Sequence, residues 1–104
     1  MIKASVLYPN TPGCKFDLAY YRDTHMPAAA KLLGGAISGY QIDSGIGGGA
    51  PGQPAPYVCM GHFIAESVPA FMTAFGPHVP ALMADLPNFT DTQPTIQFSE
   101  IVKG

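Results

Sequence analysis

Two segments decide the fold: Ala36-Ile37-Ser38-Gly39-Tyr40-Gln41-Ile42-Asp43 and Tyr57-Val58-Cys59-Met60-Gly61-His62-Phe63-Ile64. Their alternating pattern and their β-branched and aromatic residues predict two strands. Residues 44–56 between them are rich in Gly and Pro and form a long loop with no helical pattern. A helical stretch flanks this pair of strands on each side, and beyond each helix lies one more predicted strand, at 2–8 and 95–102. The predicted order is therefore βαββαβ.

The first helical stretch has clear signals at both ends. Asp17 precedes it and can serve as its N-cap, while Gly34-Gly35 ends it. Pro27 lies inside the stretch, where it removes one backbone donor and clashes with the preceding turn. We therefore expect a kink near His25 and Met26.

The second helical stretch begins at Ser67, another N-cap residue. Gly76-Pro77 must bend or break it, and a shorter helix resumes after His78 and ends near Asp85. With both helices placed, the element order is the split βαβ pattern of a ferredoxin-like α+β domain with a four-stranded antiparallel sheet. We expect one domain over residues 1–104.

Helices on one face of such a sheet leave the other face uncovered. The chain is 47% hydrophobic and only 12% charged, about half the roughly 25% charged residues of ordinary soluble domains. A second copy that stacks its sheet on the open face would cover it. We therefore expect a homodimer with a cavity between the two sheets; the alternative is an uncharged surface on a single subunit.

Charge and hydropathy exclude several classes of function. Five basic and seven acidic residues give a net charge of -2 with no basic stripe, so we expect no nucleic-acid partner. No apolar run approaches the ~20 residues that span a membrane. The N-terminal residues 1–7 are interpreted as a strand rather than a leader, which predicts a cytoplasmic protein. Cys14 and Cys59 are expected to be free thiols.

The densest group of reactive side chains lies in Tyr20-Tyr21-Arg22-Asp23-Thr24-His25-Met26-Pro27. Tyr21 and His25 are four residues apart and share one helical face. A backbone carbonyl freed by the proline kink could hold one imidazole nitrogen and leave the other to face a ligand, as a general base requires. The alternative is a structural histidine bonded to backbone.

His78 follows the predicted helix break and lies at or near a helix N-terminus, so it is a second candidate for the site. Its alternative role is to cap the helix or to anchor a loop. Downstream, Asp85, Asn88 and Asp91 are interpreted as turn residues, because their side chains bond local backbone groups.

The expected ligand is a small hydrophobic or aromatic compound. His62 either lines a cavity or lies beneath a helix, and one residue of strand register decides between the two. We expect the ligand to contact four residues: Tyr8, His62, Met60 and Phe98. No two histidines have the spacing of a metal-ligand pair, and no dinucleotide-binding motif is present. Neither a metal nor a cofactor is expected.

Several motifs together resemble one family along essentially the whole chain. They are Phe16-Asp17-x-x-Tyr20-Tyr21-x-x-Thr24-His25-Met26-Pro27, the loop Gly47-Gly48-Gly49-Ala50-Pro51-Gly52, Phe75-Gly76-Pro77-His78, and Leu86-Pro87-Asn88-Phe89-Thr90-Asp91. The pattern resembles the EthD family, named for ethyl tert-butyl ether degradation. The resemblance implies a dimeric α+β barrel and makes His25 the natural acid/base residue. Similar barrels include cofactor-free polyketide cyclases, quinone-forming monooxygenases and muconolactone isomerases.

These observations leave three hypotheses of function. The first is a cofactor-independent isomerase, cyclase or oxidoreductase-like enzyme in which His25 moves a proton and Tyr21 or His78 orients the substrate. The second is a non-catalytic module that binds or delivers a hydrophobic intermediate. The third is a dimerisation domain without a ligand.

Overall fold

The computed structural model describes residues 1–104 and forms one four-stranded sheet with its helices on one face. The strands are β1 (Ile2–Pro9), β2 (Ile37–Ser44), β3 (Tyr57–Ala65) and β4 (Thr95–Glu100). They lie in the order β2-β3-β1-β4, and every neighbouring pair is antiparallel. The predicted ferredoxin-like α+β fold is confirmed.

The helices begin where the sequence predicts. Asp17 caps α1 (Leu18–Tyr20) by accepting a hydrogen bond from the Tyr20 backbone N–H. A π-helical turn (Tyr21–His25) then leads into α2 (Met26–Leu33), with Pro27 in its first turn. The structure thus changes helix type at the position of the expected kink. This change aligns the start of α2 so that Pro27 is tolerated there.

Ser67 caps α3 (Val68–Phe75), and a 3-10 turn (Gly76–His78) separates it from α4 (Val79–Asp85). The predicted break at Gly76-Pro77 and the end of α4 at Asp85 are both confirmed. None of the helices has the length and hydropathy that a membrane span requires.

Strand register decides which side chains face the helices. On β1, Ala4, Val6 and Tyr8 point towards the helices, and their partners on β3 are Phe63, Gly61 and Cys59. The opposite face, which we call the open face, carries alternate residues of each strand: Lys3, Ser5, Leu7, Gln41, Asp43, Met60, His62, Ile64, Thr95, Gln97 and Ser99.

Two details of the predicted strands are wrong. The alternation along β2 is broken by an irregularity between Ile37 and Gly39, so Ile37 and Tyr40 lie on the same face. This places Ile37 opposite Ala65 on the buried face, where its apolar side chain is favoured. The last strand ends at Glu100 rather than at 102; one further backbone hydrogen bond, from the Ile101 N–H to the Met1 carbonyl, follows in the same register.

Candidate functional site

His25 and Asp85 form the polar centre of the site. His25 Nδ1 lies 2.8 Å from Asp85 Oδ2, although the two residues are 60 positions apart in the chain. The π-helical turn supplies the histidine, and the last residue of α4 supplies the carboxylate. The imidazole is 8% exposed and the carboxylate 26% exposed. Single π-helical turns inside α-helices are frequent at functional sites.

Asp85 is itself held by two further donors. The Tyr20 hydroxyl donates to Asp85 Oδ1 over 2.7 Å, and Asn88 Nδ2 donates to the same oxygen over 2.8 Å. Burial raises the pKa of Asp85, but the hydrogen bonds from Tyr20, Asn88 and His25 outweigh burial, so the pKa lies below its ordinary value. The carboxylate is therefore ionised at neutral pH and accepts hydrogen bonds only.

The hydrogen-bond network fixes the tautomer of His25. Because Asp85 can only accept, Nδ1 of His25 carries the proton and donates it. In the neutral imidazole, Nε2 is then an unprotonated acceptor. Nε2 forms no hydrogen bond within the protein and keeps some accessible surface. The ring therefore offers a free lone pair to any ligand that reaches it.

His25 is the most polar residue of an otherwise apolar cavity between the helices and the sheet, which we call the inner chamber. It encloses about 50 Å³. Eleven of its thirteen lining residues are hydrophobic; the thirteen are Val6, Tyr8, Tyr21, His25, Met26, Ala29, Phe63, Phe75, Leu82, Met83, Leu86, Pro94 and Ile96.

A second depression, the outer groove, lies beside the inner chamber between the helices and β4. It has a volume of about 300 Å³ and seven lining residues, all hydrophobic: Met72, Phe75, Val79, Leu82, Met83, Ile96 and Phe98. Four of these, Phe75, Leu82, Met83 and Ile96, also line the inner chamber. These four side chains border both spaces, so the groove lies directly beside the chamber that contains His25.

Aromatic rings hold the imidazole in place. The His25 ring stacks on Tyr21 with a centroid distance of 5.5 Å and an interplanar angle of 16°, and Phe89 lies 4.6 Å from it on another side. Tyr21 and Phe89 are both 0% exposed. Rings packed in this way restrict the orientation of His25 before any ligand binds.

Tyr21 has a feature that neither packing nor the fold explains. Its hydroxyl is buried and makes no hydrogen bond of good geometry, although the Tyr8 hydroxyl lies close enough to interact with it. The hydroxyl lies against Gly61, in the space that a Cβ atom there would occupy. Burial raises the pKa of Tyr21, and burial likewise raises that of Tyr8, so both phenols remain protonated.

The structure gathers some of the predicted site residues and separates others. Tyr8, Tyr21 and His25 line the inner chamber, and Phe98 lines the outer groove. His78 lines neither space and makes no side-chain hydrogen bond at its cap position. His62 and Met60 lie on the open face, so the four residues expected to contact the ligand do not line one cavity of this chain.

His62 belongs to a separate polar cluster on the open face. Its Nδ1 lies 2.7 Å from Ser5 Oγ, and its Nε2 lies 2.9 Å from Asp43 Oδ2. The carboxylate again fixes the tautomer, since Nε2 must donate to Asp43 and Nδ1 then accepts from Ser5. Both ring nitrogens are thus satisfied within the chain, and His62 has no free lone pair to offer a ligand.

Two expectations about the polar residues are wrong. His25 is held by the Asp85 carboxylate rather than by a freed backbone carbonyl, because α4 brings Asp85 within hydrogen-bond distance. Asp85 is therefore a candidate site residue rather than a turn residue that bonds local backbone. The spacing of the two residues in the sequence does not reveal this pair. The sequence feature that could have suggested Asp85 is its position at the end of an apolar helix, three residues before Asn88. No three His, Cys, Asp or Glu side chains group closely enough to hold a metal ion.

The fold defines a ferredoxin-like α+β protein with an apolar cavity under its helices. Comparison with known proteins places the chain more narrowly: the EthD domain model matches residues 16–93. The chain belongs to the EthD family. No curated protein matches its sequence.

Solved structures agree with this assignment. An EthD-like protein from Ralstonia eutropha JMP134 is 41% identical, with a TM-score of 0.94, over 98% of this chain and 92% of that one. An ethyl tert-butyl ether degradation family protein from Bacillus halodurans C-125 shares the fold at 19% identity and a TM-score of 0.70, covering 96% of this chain and 97% of that one. A dimeric ferredoxin-like protein from Thermobifida fusca YX also shares it, at 14% identity and a TM-score of 0.57, covering 94% and 88%.

Proposed function

We propose that this chain is a cofactor-independent enzyme that moves a proton to or from a small hydrophobic or aromatic compound, with His25 as the acid/base residue. The observation that carries the proposal is the free Nε2 of an imidazole whose Nδ1 is bonded to an ionised carboxylate, in the wall of an apolar cavity. Asp85 positions the ring and fixes its tautomer.

The geometry supports a defined sequence of events. The lone pair of Nε2 accepts a proton from an acidic C–H or O–H of the bound compound. The imidazolium that forms is stabilised by Asp85 through a charge-assisted hydrogen bond. When the proton returns to a different atom of the compound, His25 acts as the acid and is restored. A positioned general base of this kind contributes about 10²–10⁴-fold to the rate.

Deuterium exchange tests this proposal without knowledge of the natural substrate. The purified protein is mixed in D₂O with two ketones that carry an aromatic ring, phenylacetone and 2-tetralone, and loss of the α-proton signal is followed by NMR. We expect the protein to accelerate exchange and His25→Gln to abolish the acceleration. Lys31→Gln, on the exposed surface of α2, is the matched control and should exchange at the wild-type rate. Equal exchange by His25→Gln and the wild type would exclude His25 as the base.

A binding or delivery module is the second candidate function. The hydrophobic character of eleven of the thirteen residues that line the inner chamber favours it, since such a lining binds apolar compounds whether or not chemistry follows. Measurable affinity for the ketones, together with exchange no faster than in buffer, would favour this second function.

We further propose that the functional unit is a homodimer in which two open faces stack. The two central strands of the open face carry Leu7, Met60 and Ile64, which are half-buried, and apolar side chains that remain partly accessible on a sheet face favour association. The similar protein from Thermobifida fusca YX is described as dimeric. Native mass spectrometry should show twice the mass of the chain, and a monomer at micromolar concentration would exclude the stacked arrangement.

A further inference from the structure

The inner chamber is too small to be the whole ligand site. Its volume is about 50 Å³, whereas an engineered apolar cavity that binds benzene measures about 150 Å³. An aromatic ring whose edge contacts His25 therefore needs more room than the chamber has, and the outer groove is the adjacent apolar space, bordered by four of the same side chains. The groove has several times the volume of the chamber, about 300 Å³.

The two spaces also differ in what they can recognise. In the inner chamber, Nε2 of His25 is a free hydrogen-bond acceptor, because Nδ1 is engaged by Asp85. An acceptor selects a donor, so the matching ligand atom carries a proton. The seven residues of the outer groove are all hydrophobic, so the part of the ligand that lies there has no polar group to satisfy.

We propose that the substrate is an amphiphilic phenol or enol, whose hydroxyl donates to Nε2 of His25 and whose alkyl or aryl tail lies in the outer groove between Met72 and Phe98. This inference rests on the proposed function for the role of His25, and it adds the class of substrate. It also assigns Met72 and Phe98 as residues that determine specificity for the tail.

The exposure of the groove residues is consistent with a bound tail. Met72, Met83, Ile96 and Phe98 are 41%, 48%, 46% and 37% exposed. Side chains of this size are usually more buried, and they gain free energy when a ligand covers them. Met72 and Met83 are also unbranched and adaptable, which suits a groove that accepts tails of varied shape.

The experiment is a binding series of phenol, 4-ethylphenol, 4-butylphenol and 4-hexylphenol, measured by isothermal titration calorimetry. We expect each added methylene to tighten binding about two- to fourfold, the upper value corresponding to complete burial. The methyl ether 4-butylanisole has the same tail and lacks the proton. We expect it to bind at least about fivefold more weakly than 4-butylphenol, because it leaves Nε2 without a donor.

Two variants localise the tail. Phe98→Ala and Met72→Gln should each reduce the gain per methylene, and each should weaken 4-hexylphenol by a larger factor than phenol itself. Leu32→Gln changes another exposed apolar residue, on α2 and outside the groove, and should leave the whole series unchanged. Short-tailed and long-tailed phenols are compared within the same variant, so a modest loss of stability affects both and does not obscure the difference.

The possible outcomes separate this inference from the proposed function. Three results would each overturn the inference that the substrate is amphiphilic. They are equal affinity for phenol and 4-hexylphenol, an unchanged series of affinities in Phe98→Ala, and equal affinity for 4-butylanisole and 4-butylphenol. Deuterium exchange of phenylacetone tests His25 independently of the tail. If affinity rises along the phenol series but the protein does not accelerate deuterium exchange, the inference about binding stands and the proposal that His25 is catalytic is excluded.

Discussion

Asp85→Asn is the most informative single substitution. In the wild type, Oδ1 of Asp85 accepts from Tyr20 and Asn88, and Oδ2 accepts from His25. An asparagine keeps the shape and has one oxygen. Tyr20 and Asn88 are two donors aimed at one position, so the amide oxygen faces them and the amide N–H₂ faces His25. Nδ1 must then accept, and the proton moves to Nε2.

The expected effect on the rate is large because the substitution removes the base. With Nε2 protonated, His25 can no longer accept a proton from the ligand, so we expect exchange to fall by most of the roughly 10²–10⁴-fold contribution of a general base. The effect on stability is smaller. A charge-assisted hydrogen bond becomes a neutral one, and the carboxylate is 26% exposed, so we expect a loss of about 1 kcal/mol.

The assay combines α-proton exchange with urea unfolding at several pH values. The depressed pKa of Asp85 means that its stabilising contribution is complete above the ordinary value of 3.8 and is lost as the pH falls through the lower folded-state pKa. The wild type and Asp85→Asn should therefore converge in stability under strong acid. Asn88→Ala, which removes one donor and keeps the charge, is the control and should retain most of the activity. If Asp85→Asn exchanged the α-proton as fast as the wild type, the claim that Asp85 sets the tautomer needed for catalysis would be refuted.

The remaining predictions concern the support of the site and the assembly. Gly61→Ala places a methyl group where the Tyr21 hydroxyl lies and should destabilise the protein by about 1–3 kcal/mol in urea unfolding. Gly39→Ala, in open space on β2, is its control and should cost less than about 1 kcal/mol. Tyr21→Phe removes a buried hydroxyl that makes no hydrogen bond of good geometry and should change stability by no more than about 1 kcal/mol; a loss above about 2 kcal/mol would show a well-formed hydrogen bond to the neighbouring Tyr8. Met60→Glu puts a charge on the open face and should shift the mass measured by light scattering from dimer towards monomer. An unchanged dimer would place the interface elsewhere.

Local signals in the sequence were sufficient to predict the elements of the fold. Asp17 and Ser67 are capping residues at both helix starts, and each makes the expected bond to the backbone three residues on. Gly76-Pro77 breaks the second helical stretch because neither residue supports a regular α-helix there. Such signals act within a few residues, so they can be interpreted without knowledge of the tertiary structure.

The partners of the two buried histidines were not predictable in the same way. His25 bonds Asp85 over 60 positions, and His62 bonds Ser5 over 57. Pairs this distant depend on how α4 docks and on which face of β3 each side chain occupies. A single irregularity, such as that between Ile37 and Gly39, reverses the facing of the residues beyond it. The facing of Tyr8, His62, Met60 and Phe98 could likewise not be fixed from the sequence, and their contact with a ligand stays a prediction.

The tautomer of His25 is the property on which the proposed chemistry depends most directly. Long-range ¹H–¹⁵N correlation spectra of the uniformly labelled protein distinguish a protonated from an unprotonated ring nitrogen. At a pH where the ring is neutral, we predict a protonated Nδ1 and an unprotonated Nε2 for His25, with the Nε2 resonance moving when 4-butylphenol is added. A protonated Nε2, or a resonance that the phenol leaves unchanged, would contradict the role of His25 as a base facing the ligand.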